Sequence, residues 1–335
     1  MTVDENVKEK YNNEAFLINS DGNWDNWEKK VSHCCMKELD LDLCMQSDID
    51  AFVDEIDKLR RLPDNHDNII QFLGFQMSTN FMRIFTRLYD GTLTGILDEM
   101  KQTKEYDKKL NNVESNIESN VESNVESNVV GNVERKVSWN NIHHLREKFN
   151  DYLVSVPTFF TEKQIQRFIK QISSALSVIH SRRMIHRDIK SMNIFYQGSI
   201  YDIDNLVLIL GDFGDSKVID SENKAKTCVG TNVWMAPEVL QGENKTKYTF
   251  AADIYSFGML IYELMSLHQP YHECKGFASI TKIINFEKPA LTKEESERYS
   301  NIIPFWKSTI DHDPSKRPSS ATIYCNILNV LTINE

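Results

Sequence analysis

His186-Arg187-Asp188-Ile189-Lys190-Ser191-Met192-Asn193 crowds a carboxylate, an amide and several basic groups into eight consecutive residues. Asp212-Phe213-Gly214 stands nineteen residues past Asn193, directly behind the strand-like run Leu206 to Leu210. Taken one at a time, such polar residues are ordinary solvated loop side chains; an ordered set of them is not. Before the first stretch, Ile165, Phe168, Ile169, Ile172, Leu176 and Ile179 recur at helical spacing. Thr161 and Gln164 form a capping-box signature at its start. Further on, residues 251–265 (AADIYSFGMLIYELM) are apolar almost all round, which predicts a helix buried in a large domain. Asp253 inside that helix then requires internal hydrogen-bond partners.

Upstream, Ile49, Phe52, Val53, Ile56, Leu59 and Leu62 fall on one side of a helix from about 48 to 62, with Ser47 as its N-cap. Glu55 lies within the apolar arc, where a carboxylate is costly unless paired. Between these regions, Asn-(Val/Ile)-Glu-Ser repeats start at Asn112, Asn116, Asn120 and Asn124. A period of four rotates the apolar position by about 40° per repeat, so no coherent face survives. Glu114, Glu118, Glu122 and Glu126 also repel one another at i,i+4 spacing. Residues 101–141 therefore read as a low-complexity, disordered insertion, with partner docking as the minor alternative.

Gly230-Thr231-Asn232-Val233-Trp234-Met235-Ala236-Pro237-Glu238, then Asp253 to Gly258 and Arg317, follow the two opening motifs in order. In this order the motifs resemble the eukaryotic protein kinase family. The resemblance implies an α+β, bilobal fold with a small β-rich N-lobe and a large, mainly helical C-lobe. It divides the chain into an N-terminal extension (1–14), an N-lobe (15–90), the start of the C-lobe (91–100), the insertion (101–141) and the rest of the C-lobe (142–332). Phosphoryl transfer needs positioning and charge compensation more than covalent help from the protein. The resemblance accordingly makes Asp188 the base for the substrate hydroxyl and Lys190 the cation that meets charge on the transferred phosphoryl. Asn193 and Asp212 become the oxygen ligands of Mg²⁺.

In the amino-terminal half, Val31 to Leu39 resembles the family's third strand, with Lys37 in the place of the ATP-phosphate lysine. Glu55, eighteen residues on, becomes its partner on the following helix. His66 to Gly74 resembles the next loop and strand, and Phe81 to Leu93 the strand and interdomain hinge beyond it. Thr86 is then the gatekeeper, and Arg87, Leu88 and Tyr89 supply the adenine-binding backbone. Arg187 resembles the residue that binds a phosphate on the activation segment, for which Thr227 is the first candidate, then Ser221 and Thr231. Thr231 also has the place of a residue that fixes Asp188 and Lys190. Glu238 and Arg317 resemble a structural ion pair beneath the substrate platform.

Two features depart from the pattern. The Gly-rich loop should lie near residues 15–22, yet that stretch reads AFLINSDG, with Gly22 alone. Glycines there let backbone amides approach phosphates without side-chain obstruction. Fewer of them imply weaker ATP binding that leans on Mg²⁺ and Lys37. The connection from Asn193 to Asp212 is also longer than the pattern, which reads as an enlarged turn between two strands.

Lys190 and Thr231 resemble Ser/Thr-specific kinases, and the wording around His66–Gly74 and Trp234–Glu238 is most like the tyrosine-kinase-like group. The resulting expectation is a protein serine/threonine kinase that uses ATP and Mg²⁺ on protein substrates. Its phosphosite would be filled by an upstream kinase or by self-phosphorylation. The rival reading is a pseudokinase scaffold, favoured by the missing glycines. A small-molecule kinase is disfavoured by Ala236-Pro237-Glu238 and Arg317. The formal charge of −11 over 335 residues argues against nucleic acid as a partner. MTVDENVKEK lacks the pattern of a signal peptide, and no apolar run is long enough to insert in a membrane. Six cysteines without C-x-x-C spacing fit reduced thiols, so the expected location is the cytoplasm, with the nucleus left open.

Overall fold

The computed structural model describes residues 34–123, 156–218, 233–241 and 249–333. The expectations for residues 15–23, for Ser221, Thr227 and Thr231, and for the repeats from 124 onward lie outside these residues. The chain forms a small strand-rich part followed by a larger helical one, the bilobal arrangement that the resemblance implied.

In the small lobe, β1 (Cys34–Asp40), β2 (Phe72–Met77) and β3 (Phe81–Arg87) form an antiparallel sheet in the order β1-β3-β2. Directly paired residues project to one face of a sheet. Lys37 opposite Ile84, and Cys35 opposite Thr86, therefore put Lys37 and Thr86 on the same side. Helix α1 (Gln46–Leu59) packs Ile49, Phe52, Ile56 and Leu59 inward, following the periodicity of its sequence. Its start differs from expectation. Met45 is the N-cap rather than Ser47, because the Asp48 carboxylate accepts the Met45 N–H at 2.8 Å. An ionised acceptor in the first turn satisfies an orphan donor and suits the helix dipole, and Ser47 is left inside the helix.

The link between lobes is short. β4 (Gly91–Thr92) pairs with β6 (Ile194–Gln197), which pairs in turn with β7 (Val207–Leu210). The turn joining β6 to β7 carries a 3₁₀ segment, Ile203–Asn205, which accommodates the long connection noted in the sequence. Helix α2 runs Leu93–Ser123, so the chain stays helical well past residue 100. This corrects the reading of an insertion that is disordered from 101. Nucleation is the costly step of a helix, and Leu93, Ile96, Leu97 and Met100 anchor the first turns in the core. Thr103 is buried as well, and residues 101–109 supply straight-chain helix formers for propagation.

The large lobe is built around α3 (Glu162–Ser181) and α5 (Phe250–Ser266), with the short helices α4 (Pro237–Leu240), α6 (Ala278–Ile284) and α7 (Lys293–Arg298) beside them in the chain. Helix α3 begins with the capping box read from the sequence: the Thr161 hydroxyl accepts Gln164 N–H, and Gln164 Oε1 accepts Thr161 N–H. Every residue of α5 from Ala252 to Ser266 is buried. α9 (Ser320–Ile333) packs on α3, while α8 (Ile303–Thr309) packs on α5. Gly258 permits that second contact, because a Cβ there would sit 2.4 Å from both Ile310 and Thr309.

Candidate active site

Between α3 and β6 the chain makes a short strand, β5 (Met184–Ile185), then a loop that ends in the 3₁₀ turn Ser191–Asn193. Arg187 in this loop has φ 74°, a conformation that disfavours a side chain. Asp253 holds it there from the buried helix. One of its oxygens accepts the Arg187 N–H at 2.9 Å, and the other accepts the His186 N–H at 2.8 Å and His180 Nε2 at 2.9 Å. The internal partners that the sequence demanded for Asp253 are thus the backbone of the motif itself.

Asp188 is the hub of the loop. Lys190 Nζ donates to both of its oxygens, at 2.7 and 2.9 Å. Asn193 Nδ2 donates to Asp188 Oδ2 at 2.7 Å and to its backbone oxygen at 2.8 Å. These bonds use the amide nitrogen of Asn193, and among the described residues none uses its amide oxygen. Asp212 stands behind β7 with φ 55°, a second left-handed backbone at a residue other than glycine. Such outliers persist only where their surroundings over-determine them.

His186 ties the two segments together. It is fully buried, its Nε2 lies 2.9 Å from the Gly211 oxygen, and the Asp188 N–H reaches its Nδ1 at 3.4 Å. These partners make Nε2 the protonated nitrogen and Nδ1 the acceptor. Burial pushes the imidazole pKa down, which keeps the ring neutral. Its ring meets Phe213 edge-on at 4.9 Å.

Lys37 and Glu55, eighteen residues apart, form an ion pair at 2.6 Å. The lysine remains half-exposed at 54%, whereas the Glu55 side chain is 9% exposed. The inward carboxylate of α1 therefore has a partner across the sheet. Thr86, on the Lys37 face of the sheet, is half-buried. The hinge beyond is anchored through Gln71, whose oxygen accepts Arg87 N–H at 3.0 Å and whose N–H donates to the Tyr89 hydroxyl at 3.1 Å. Leu88 is exposed, and the Tyr89 ring stacks on Phe195 with centroids 5.9 Å apart.

The donor chemistry fits a magnesium ion. One carboxylate, Asp212, and one amide oxygen, Asn193, are hard oxygen donors. Among the described residues no group of three or more His, Cys, Asp or Glu could hold a metal alone. An ion here would take the remainder of its shell from phosphate oxygens and water, which is how Mg²⁺ is commonly bound.

Below the loop, Arg317 makes a bidentate pair with Glu238 at 2.7 and 2.9 Å. It also donates to the Asp311 and Ala251 carbonyls, so four of the five N–H groups of its buried guanidinium are engaged. The family model for the protein kinase domain matches residues 100–328, more than half of the chain. The chain belongs to the protein kinase family. It is 34% identical over 165 residues to the serine/threonine-protein kinase Nek9 of Xenopus laevis, covering 49% of this chain and 16% of that one. Human serine/threonine-protein kinase 10 is 35% identical over 168 residues, 49% of this chain and 16% of the relative. Mitogen-activated protein kinase kinase kinase 1a of Physcomitrium patens is 35% identical over 157 residues, 47% and 19% of the two chains. The matched stretch thus spans less than a fifth of each relative's length. None of the three bears a tyrosine-kinase-like name, so the subgroup read from the sequence is not carried forward.

Sequence reasoning missed several supporting residues of this kinase domain. Glu263, 1% exposed in α5, accepts the Ser191 hydroxyl at 2.9 Å and Trp234 Nε1 at 2.7 Å. Burial pushes its pKa up to about 7. Its place ten residues after Asp253, in a helix apolar all round, was the available signal. Gly211 and Lys58 left no sequence signal, because what constrains them comes from distant parts of the chain.

Proposed function

We propose that this chain is an ATP-dependent protein kinase that phosphorylates serine and threonine hydroxyls of protein substrates. The observation that carries the reading is the Asp188 carboxylate clamped between Lys190 and Asn193, with Asp212 on the adjoining segment. In this mechanism Asp188 takes the proton of the substrate hydroxyl as its oxygen attacks the γ-phosphorus. The bond from that phosphorus to the bridging oxygen breaks, and ADP leaves with the electron pair. Lys190 lies against Asp188, where its charge offsets negative charge on the transferred group. Lys37, oriented by Glu55, holds the phosphates, and the backbone of Arg87 to Tyr89 takes the adenine. Asn193 and Asp212 would hold Mg²⁺, which neutralises phosphate charge when bound. Arg187 would receive a phosphorylated activation segment, with Thr227, Ser221 or Thr231 as the acceptor.

Among the described residues no helix is long and apolar enough to cross a membrane. A cytoplasmic site of action, without nucleic acid, accompanies this proposal. Gly22, alone in the stretch where the Gly-rich loop is expected, favours a second reading, a scaffold that binds partners without transferring phosphate. Purified chain with radiolabelled ATP, Mg²⁺ and a generic protein substrate separates the two. Transfer should appear, and Asp188→Asn should lower it by about 10²–10⁴, the usual contribution of a positioned base, while fold and nucleotide binding persist. No transfer by the parent chain, or full transfer by Asp188→Asn, would overturn the mechanism.

A further inference from the structure

We propose that Lys58 is a positioning residue, which fixes the Asp212-Phe213-Gly214 segment to helix α1 and so holds the Asp212 carboxylate in place for the metal. The proposal rests on the kinase reading for the role of Asp212, but not for the contact itself. Lys58 Nζ donates to the Gly214 carbonyl at 3.0 Å across 156 residues of sequence. It also pairs with Asp54 at 2.8 Å, one turn earlier on the same helix. The two ends of that pair sit in opposite environments: the Lys58 side chain is 6% exposed and that of Asp54 66%.

A lysine serving only as half of a surface ion pair keeps its ammonium in water, because the pair is worth little and the stem alone can lie on the protein. Burying the ammonium is costly unless its donors are used. Here one donor goes to a main-chain oxygen of the segment that carries Asp212. That segment needs an external restraint, since Asp212 has φ 55°. Gly214 in turn donates its N–H to Asp212 Oδ1 at 3.3 Å. Ammonium, Gly214 backbone and Asp212 carboxylate are therefore connected in series.

The same face of α1 makes the second contact with this segment. A Cβ built on Gly214 would lie 3.5 Å from Glu55 Oε2, so the segment sits directly against the carboxylate that orients Lys37. Glu55 and Lys58 are one helical turn apart. One reaches the lysine of β1 and the other reaches the backbone beside Asp212. Any displacement of α1 disturbs both together.

The test uses the full chain with Asp188→Asn, so that nucleotide is not turned over, and compares Lys58 with Lys58→Met and Lys58→Arg. Two readouts are taken: ATP titration with and without Mg²⁺, and hydrogen exchange of the amides from Asp212 to Ser216. Lys58→Met should weaken Mg²⁺-dependent ATP binding about tenfold, the loss of one charge-assisted hydrogen bond, with metal-free binding unchanged. Exchange across 212–216 should rise at the same time. Lys58→Arg, which keeps charge and donors, should restore both. Asp54→Asn should leave both within about twofold, because Asp54 touches the ammonium from the solvent side. Lys58→Leu serves if the methionine variant does not fold. A variant that melts earlier yet keeps parental metal-dependent binding and exchange would overturn the assignment and leave Lys58 a packing residue. If the parent binds no ATP at all, the kinase reading fails. The exchange measurement then decides the Lys58 contact by itself, with unchanged protection overturning it.

Discussion

Replacing Gly211 by alanine adds one methyl group beside the candidate nucleotide site, and the structure dictates what that methyl meets. The new Cβ would lie 2.4 Å from Phe195 Cε2, 2.7 Å from its Cδ2 and 3.3 Å from Ile70 Cδ1. Carbon atoms do not approach so closely, so the Phe195 ring must move. Gly211 does not occupy the left-handed region, and backbone strain adds nothing to this cost. The backbone around it is fixed: its N–H donates to Asn193 O at 3.0 Å and its oxygen meets His186 Nε2. Phe195 is half-buried and stacked on Tyr89 of the hinge, so a shift of its ring disturbs that stack. Overpacking of this kind costs about 1–3 kcal/mol. The expected result is a loss of that size in urea unfolding, with ATP affinity weakened about tenfold for every 1.4 kcal/mol felt in the cleft. Phe195→Leu removes the clashing ring edge. In the double variant the two changes should compensate, giving a coupling of about 1–2 kcal/mol in both unfolding and ATP titration. Effects that simply add, within about 0.5 kcal/mol, would refute the argument that this contact is what makes residue 211 glycine.

The remaining predictions concern charge. Lys37→Met removes the partner of Glu55 and should weaken Mg²⁺-ATP binding by about ten- to a hundredfold in a calorimetric titration, since one charge-assisted hydrogen bond contributes about 1.5–3 kcal/mol. Tight, metal-independent binding by this variant would show that other residues hold the phosphates. Glu263, raised from 4.5 to about 7 by burial, binds its proton more tightly folded than unfolded. Its contribution to stability is full below pH 4.5 and is lost as pH rises through 7, on the order of 3 kcal/mol in all. Glu263→Gln should therefore flatten the decline in unfolding free energy between pH 5 and 8 relative to the parent chain, and parallel curves would disprove the linkage.

The parts of the site that sequence made legible are those in which chemistry dictates residue type within a few positions. Asp188, Lys190 and Asn193 lie within one loop and bond to one another, so their order along the chain is nearly their arrangement in space. Helices α3 and α5 were legible for a related reason: apolar period and a capping box are local properties, and burial of α5 follows from its having no polar face. The start of α1 was misread because residue type pointed to Ser47 as the cap, whereas the Asp48 carboxylate reaches back to the Met45 N–H and starts the helix before Ser47. The length of α2 was misread because the period-four argument applies to residues 112 onward, whereas the helix is nucleated from Leu93.

What was not legible has one physical character. Gly211 is fixed by the size of Phe195, Ser191 by Glu263 seventy-two residues on, and Lys58 by the Gly214 carbonyl of the other lobe. In each case the residue type follows from a contact made only after the chain has folded. These contacts also share a location, since all of them bear on the two segments that carry Asp188 and Asp212. A reacting constellation needs side chains held to within a fraction of an ångström, and two of its backbone positions, Arg187 and Asp212, are in conformations that resist being held. Restraint must then come from outside the loop, from groups whose own positions are secure. Asp253 and Glu263 on the most buried helix and Lys58 on α1 are such groups. The motif specifies what chemistry is attempted, and these distant side chains determine whether its members stay aligned. A variant that spares Asp188, Lys190, Asn193 and Asp212 but removes one of the three should therefore still lose phosphoryl transfer.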